Sequence, residues 1–172
     1  MIKRYSSRRE PLSDSLFNKN LKDARNYDRI AGYFNSSILE IAGEYVDDMD
    51  GKIRVVCNSS LDIRDVKTAK SANNALRREW CESKPEKITD TQNRFKKLYE
   101  LLSSGKMEVR VLPNERFGLI HGKAGVITFK DNTKTSFLGS ANESLSGWKL
   151  NYELVWEDSS KEAIEWVQEE FD

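Results

Sequence analysis

The chain has 172 residues, 38% of them hydrophobic and 33% charged, and its 28 Lys and Arg balance its 28 Asp and Glu to a net charge of zero. The 17 aromatics (4 Trp, 6 Tyr, 7 Phe) exclude a disordered chain, and neutrality excludes a uniformly basic nucleic-acid binder, though not a local basic patch. No apolar run approaches the length of a membrane span, and two cysteines outside any CxxC pair exclude a disulfide framework.

This length suits a single domain, 1–172. The opening Met1-Ile2-Lys3-Arg4 carries no apolar secretory core, so the sequence predicts a reduced, cytoplasmic protein. Charge is unevenly spread: residues 1–30 hold eight basic against four acidic side chains, and residues 151–172 hold Lys161 against eight acids. Ser13-Asp14-Ser15 predicts a helix start, running to about Asn26 with Leu16, Phe17, Leu21 and Ala24 inward. Arg29 to Phe34 reads as a first strand. Ser36-Ser37 caps a helix carrying Ile38, Leu39, Ile41, Ala42, Tyr45 and Val46. Asp50-Gly51 turns the chain into a strand over 52–57, which makes a βαβ unit with a parallel strand pair.

A polar helix follows over 62–83, anchored by Val66, Ala69, Ala72, Leu76 and Trp80, with a break near Ser83-Lys84-Pro85. Thr89 or Asp90 starts the next helix, which passes Phe95, Leu98, Tyr99 and Leu102 to end at Gly105. Strands are expected at 107–112, 118–129, 135–138 and 152–156, with Asp131-Asn132 as a hairpin turn. Residues 159–171 form an acidic amphipathic helix. The fold class is therefore α/β: a mixed sheet flanked by helices.

The chemistry lies in 119–156. His121, the one histidine, stands two residues before Lys123, and on a strand both side chains share a face. Ser140 and Asn142 are likewise two apart, in Gly139-Ser140-Ala141-Asn142. Glu153 begins the next strand and can hold a ring nitrogen of the histidine. Imidazole, ammonium, hydroxyl, amide and carboxylate together suit a phosphodiester. The imidazole attacks phosphorus, and the other donors hold its non-bridging oxygens.

His-x-Lys, Gly-Ser-x-Asn, and a Glu eleven residues after the Asn resemble the phospholipase D superfamily, above all its single-motif bacterial nucleases and restriction endonucleases. Arg4 to Leu12, Ile30 to Phe34 and Asn151-Tyr152-Glu153 resemble the phospholipase-D-like module at the front of helicase-type proteins. The resemblance implies His121 as a nucleophile forming a phosphohistidine or as the acid that protonates the leaving oxygen. It also implies Lys123, Ser140 and Asn142 as phosphate ligands and Glu153 as the group orienting His121. The longer family motif has Asp five residues after the Lys, where this chain has Thr128, which disfavours lipase-type chemistry. The family mechanism uses two histidines. One per chain implies a homodimer with the site on its two-fold axis. No metal or other cofactor is expected.

The function expected is metal-independent phosphodiester hydrolysis of nucleic acid, DNA first, in a restriction or phage-defence setting beside a helicase or ATPase domain. The alternative is a non-catalytic nucleic-acid-binding module of a larger helicase-like protein. Tyr33 and Phe34 are expected in the core. Trp148 either lines the substrate groove or packs its loop. Arg8 and Arg9 either contact a nucleic-acid backbone or form a solvated terminus. Cys57 and Cys81 are expected as a small buried residue and a helix residue.

Overall fold

The computed structural model describes residues 2–58, 61, 63–79, 93–113, 115 and 118–172. Seven strands form one mixed sheet in the order β1-β7-β6-β5-β2-β3-β4. They are β1 (Ile2–Ser6), β2 (Ala24–Ala31), β3 (Ile53–Asn58), β4 (Met107–Leu112), β5 (Ala124–Phe129), β6 (Lys134–Gly139) and β7 (Leu154–Asp158). β2, β3 and β4 are parallel neighbours, and β5, β6, β7 and β1 add antiparallel.

Alternation sorts the side chains onto two faces. Tyr27, Ile53, Val55, Ile127, Phe137 and Val155 join the main core with Phe17, Leu39, Val46, Leu98 and Trp148. The helices on this side are α1 (Asn18–Leu21), α2 (Leu39–Asp47) and α4 (Asn93–Ser103). Ala124 and Val126 face the other way and meet Ile164 and Val167 of the terminal helix α5 (Lys161–Phe171), whose N-cap Ser160 accepts from Ala163 N at 3.4 Å. Between α3 (Ile63–Glu79) and α4, Trp80, Cys81, the Ser83-Lys84-Pro85 break and Thr89-Asp90 lie outside the described residues.

Several expectations shift. The first helix is short: a π-helical turn (Ser13–Phe17) leads into α1 and stops, because residues 24–26 pair in the sheet. β2 therefore runs earlier than 29–34. Tyr33 and Phe34 follow the strand rather than belong to it, although Phe34 is buried as expected. The cap of the next helical run is Asn35, whose side chain accepts from Ser37 N at 2.9 Å. Residues 118–123 are irregular, and the strand expected there starts at Ala124. Asn132, at φ 67°, makes the predicted hairpin turn. Two elements went unforeseen: edge strand β1 and a second π-helical turn, Ser146–Leu150.

Candidate active site

The site gathers where β2 and β3 end, at the head of β5 and between β6 and β7. Ligand sites in open α/β sheets favour the carboxyl ends of the parallel strands. Asn58, the last residue of β3, is buried and ties the neighbouring ends together. Its Nδ2 donates to Gly32 O and Ile120 O, each at 2.9 Å, and its Oδ1 accepts from Ile120 N at 2.8 Å. One side chain thus fixes the backbone just before His121.

Lys123 and Asn142 converge over Gly32. A methyl group there would stand 3.3 Å from both Lys123 Nζ and Asn142 Oδ1, and 2.9 Å from Ile120 O. Asn142 Oδ1 accepts from Tyr33 N at 3.0 Å. A backbone N–H can only meet the carbonyl end of the amide, so the Asn142 NH₂ is turned away, ready to donate. Lys123 Nζ donates to His121 O at 2.7 Å. The His121 ring is exposed and makes no hydrogen bond to a described side chain.

Ser140 Oγ donates to Glu153 Oε2 and accepts from Leu154 N at 3.1 Å. Glu153 Oε1 accepts a long 3.4 Å bond from Asn151 Nδ2. The backbone of Glu153 is clasped by Ser7. Glu153 N donates to Ser7 Oγ at 2.8 Å, and Ser7 N donates to Glu153 O at 3.1 Å. The structure therefore joins Ser140 to Glu153 and brings Lys123 to Asn142. The carboxylate partner it gives Glu153 is Ser140 rather than the His121 ring.

A buried ion pair supports the loop from below. Arg29 and Glu143 are 1% and 3% exposed, and Arg29 Nε lies 2.8 Å from Glu143 Oε2. That oxygen also accepts from Tyr27 OH at 3.0 Å and Trp148 Nε1 at 3.3 Å. Arg29 donates onward to Ala141 O, midway between Ser140 and Asn142. Its guanidinium lies 5.1 Å from the Phe137 ring centroid and 5.4 Å from that of Trp148. Trp148 packs the loop and does not line a groove. Burial, and then the Glu143 charge, hold the Tyr27 hydroxyl well above its ordinary range, so it remains a donor. Tyr33 and Asn35 clip the same loop through Glu143 N to Tyr33 O at 3.0 Å and Asn35 N to Glu143 O at 2.9 Å.

Sequence reasoning missed Asn58, Gly32, Ser7, Arg29 and Glu143. Arg29 at the head of the apolar run 30–34 is the one available signal, since a buried cation needs a buried anion. Among the described residues, no group of three or more His, Cys, Asp or Glu side chains can hold a metal ion. No helix among them is long and apolar enough to cross a membrane.

The mixed sheet and the polar groups gathered at its strand ends define an α/β domain whose loops bring an ammonium, an amide, a hydroxyl and a carboxylate to one end of the sheet. The family model described as "Cardiolipin synthase, PLD-like domain" matches residues 18–172, and the chain belongs to this phospholipase D–like family. Solved structures agree on the fold. NucT from Helicobacter pylori is 16% identical with a TM-score of 0.51, and the match covers 99% of this chain and 92% of that one. Nuc from Salmonella typhimurium, a phospholipase D family member, is 15% identical with a TM-score of 0.53, covering 99% and 91%. Yeast tyrosyl-DNA phosphodiesterase is 9% identical with a TM-score of 0.55, covering 92% of this chain and 30% of that one. No curated protein matches the sequence.

Proposed function

We propose that this domain hydrolyses phosphodiesters of nucleic acid, DNA first, through a covalent phosphohistidine and without a metal. The observation that carries the reading is the convergence of the Lys123 ammonium and the Asn142 amide over Gly32, beside the Ser140–Glu153 pair. Together they offer cationic and neutral donors to the non-bridging oxygens of one phosphate. An imidazole nitrogen of His121 attacks phosphorus, the N–P bond forms, and the P–O bond to the leaving oxygen breaks. The protonated His121 of a second copy of the chain gives that oxygen its proton. Water then attacks phosphorus and gives a proton back to the same imidazole, and the N–P bond breaks. Glu153 holds Ser140 through Oε2, and we assign Oε1, with its long contact to Asn151, to the imidazole N–H of the assembled site.

One histidine per chain supports a homodimer with the site on the two-fold axis. The setting we assign is cytoplasmic: a restriction or phage-defence system in which residues 1–172 are one module joined to a helicase-type ATPase. Its support is the resemblance of the motif and of Arg4 to Leu12 to such modules. A second reading, a nucleic-acid-binding module without turnover, is favoured by the unpartnered His121 ring.

The test is cleavage of labelled single- and double-stranded DNA in EDTA, wild type beside His121→Ala, with light scattering on the same samples. Cleavage by a wild-type dimer and none by His121→Ala is the result expected. Cleavage that survives His121→Ala refutes the mechanism, and a folded dimer that binds without cutting favours the binding module.

A further inference from the structure

A groove of about 550 Å³ runs along β1 and β7, lined by Arg4, Arg8, Arg9, Tyr152, Leu154 and Trp156. We propose that it binds an unpaired stretch of nucleic acid, with bases on the two aromatic rings and phosphates on the arginines. The proposal deepens the nuclease reading and rests on it.

Three observations carry it. The first is charge: three arginines line the groove, no carboxylate does, and none of the three pairs within 4.0 Å of a described acid. On a chain with no net charge, this concentration of cations matches a polyanion. The second is the rings: Trp156 is 57% and Tyr152 67% exposed, a cost in apolar surface that stacked bases would remove. The Arg4 guanidinium lies 5.4 Å from the Trp156 ring centroid, so cation and ring already form one platform. The third is continuity. Tyr152 and Leu154 flank Glu153, Leu154 N donates to Ser140 Oγ at 3.1 Å, and Ser7, beside Arg8, clasps the Glu153 backbone. The groove therefore adjoins the stretch of chain that carries Glu153, with its own side chains on the outward side of that strand.

A duplex is a poorer occupant, because its bases are stacked inside and cannot lie on Trp156. A second copy docked face to face would bring the same arginines against one another.

The experiment measures fluorescence anisotropy of a fluorescein-labelled oligothymidylate and of a mixed-sequence duplex of equal length. It is made on His121→Ala in EDTA, with and without Trp156→Ala, Trp156→Phe or the double Arg8→Ala/Arg9→Ala. Trp156→Ala should weaken the single strand about ten-fold and the duplex far less, and Trp156→Phe should restore most of the loss. Removing both arginines should lower the single-strand salt slope by about 1.4, from roughly 0.7 per phosphate contact. Single-strand affinity unchanged in Trp156→Ala overturns the groove. So does an affinity loss that merely follows conversion of a dimer to a monomer in light scattering, which would make this face an interface between copies. Hydrolysis of bis(p-nitrophenyl) phosphate in EDTA, with His121 present, separates the two proposals. This small substrate does not reach the groove, so Trp156→Ala should leave its rate unchanged. No hydrolysis by the wild type refutes the nuclease reading, whatever the groove binds.

Discussion

Replacing Arg29 by Met removes one half of a buried ion pair and keeps most of the side-chain volume. Glu143 would remain a carboxylate at 3% exposure, and Ala141 O would lose its donor. Breaking a buried pair on one side costs about 3–5 kcal/mol. Tyr27 and Trp148 still donate to Glu143 Oε2, which places this site near the lower end, about 3 kcal/mol. A domain of this size holds roughly 5–15 kcal/mol in total, so the loss is large but survivable. Urea unfolding followed by tryptophan fluorescence reads it as a midpoint lowered by about 1–2 M, for a slope near 2 kcal/mol per M. Adding Glu143→Gln should recover part of the loss, because no charge is then stranded. A loss below about 1 kcal/mol, or single costs that simply add in the double variant, would refute the claim that these two charges depend on each other.

Gly32→Ala should lower stability, because its methyl group pushes on the Ile120 backbone carbonyl, and should lose about a hundred-fold in hydrolysis, because it crowds Lys123 Nζ and Asn142 Oδ1; a melting curve and kcat on bis(p-nitrophenyl) phosphate check the two. Asn58→Leu leaves Ile120 N and two carbonyls without their partner and should cost about 3 kcal/mol together with most activity. Asn58→Asp can still accept from Ile120 N but faces both carbonyls with negative charge, so its deficit should shrink as pH falls; equal deficits at acid and neutral pH would contradict the hydrogen-bond pattern. Burial pushes the Cys57 thiol up from 9.0 to about 11. Its folded value lies above the unfolded one, so its stabilisation is complete below pH 9 and fades as pH rises towards 11. Tyr27 and Tyr5 are also held above their ordinary range, both first by burial, so Cys57→Ala should flatten only part of the alkaline loss seen in urea midpoints.

What the sequence reveals of this fold follows from the range of the interactions involved. β4 is legible to the residue over Met107–Leu112, and β3 within one residue, because alternation and β-branched residues are local signals. β2 is displaced in the sequence reading. Asn26 and Asp28 dilute its start, and Tyr33-Phe34 imitate a continuation. Asp28 is tolerated there because it points to the α5 face, where Arg54 and Gln168 bind it. β1 is invisible locally: Ile2–Ser6 becomes a strand only by pairing with β7 at the far end of the chain. The side chains proposed to react stand out in the sequence because their types and spacings suggest the chemistry. Their supports are not. Asn58 meets Ile120 across 62 positions and Arg29 meets Glu143 across 114, and no local pattern encodes either contact.

The buried pair raises the question of why charge stands where an apolar contact would be as stable. Ser140 and Asn142 lie on a loop, and a loop is held in place by what its backbone binds. Arg29 reaches the Ala141 carbonyl between them, and Glu143 anchors Arg29 while its own backbone is clipped to Tyr33 and Asn35. A hydrophobic pair of similar volume could fill the space and spare the desolvation cost, but it could not donate to a carbonyl. The double variant Arg29→Met/Glu143→Leu therefore separates packing from positioning. It should be more stable than Arg29→Met alone, because no charge is stranded, and it should still lose at least ten-fold in kcat, because the Ala141 carbonyl is released and Asn142 with it. Thermal melting and hydrolysis of bis(p-nitrophenyl) phosphate measure the two effects on one sample. If stability and full activity return together, the pair is only filling, and the loop holds its shape through Tyr33 and Asn35.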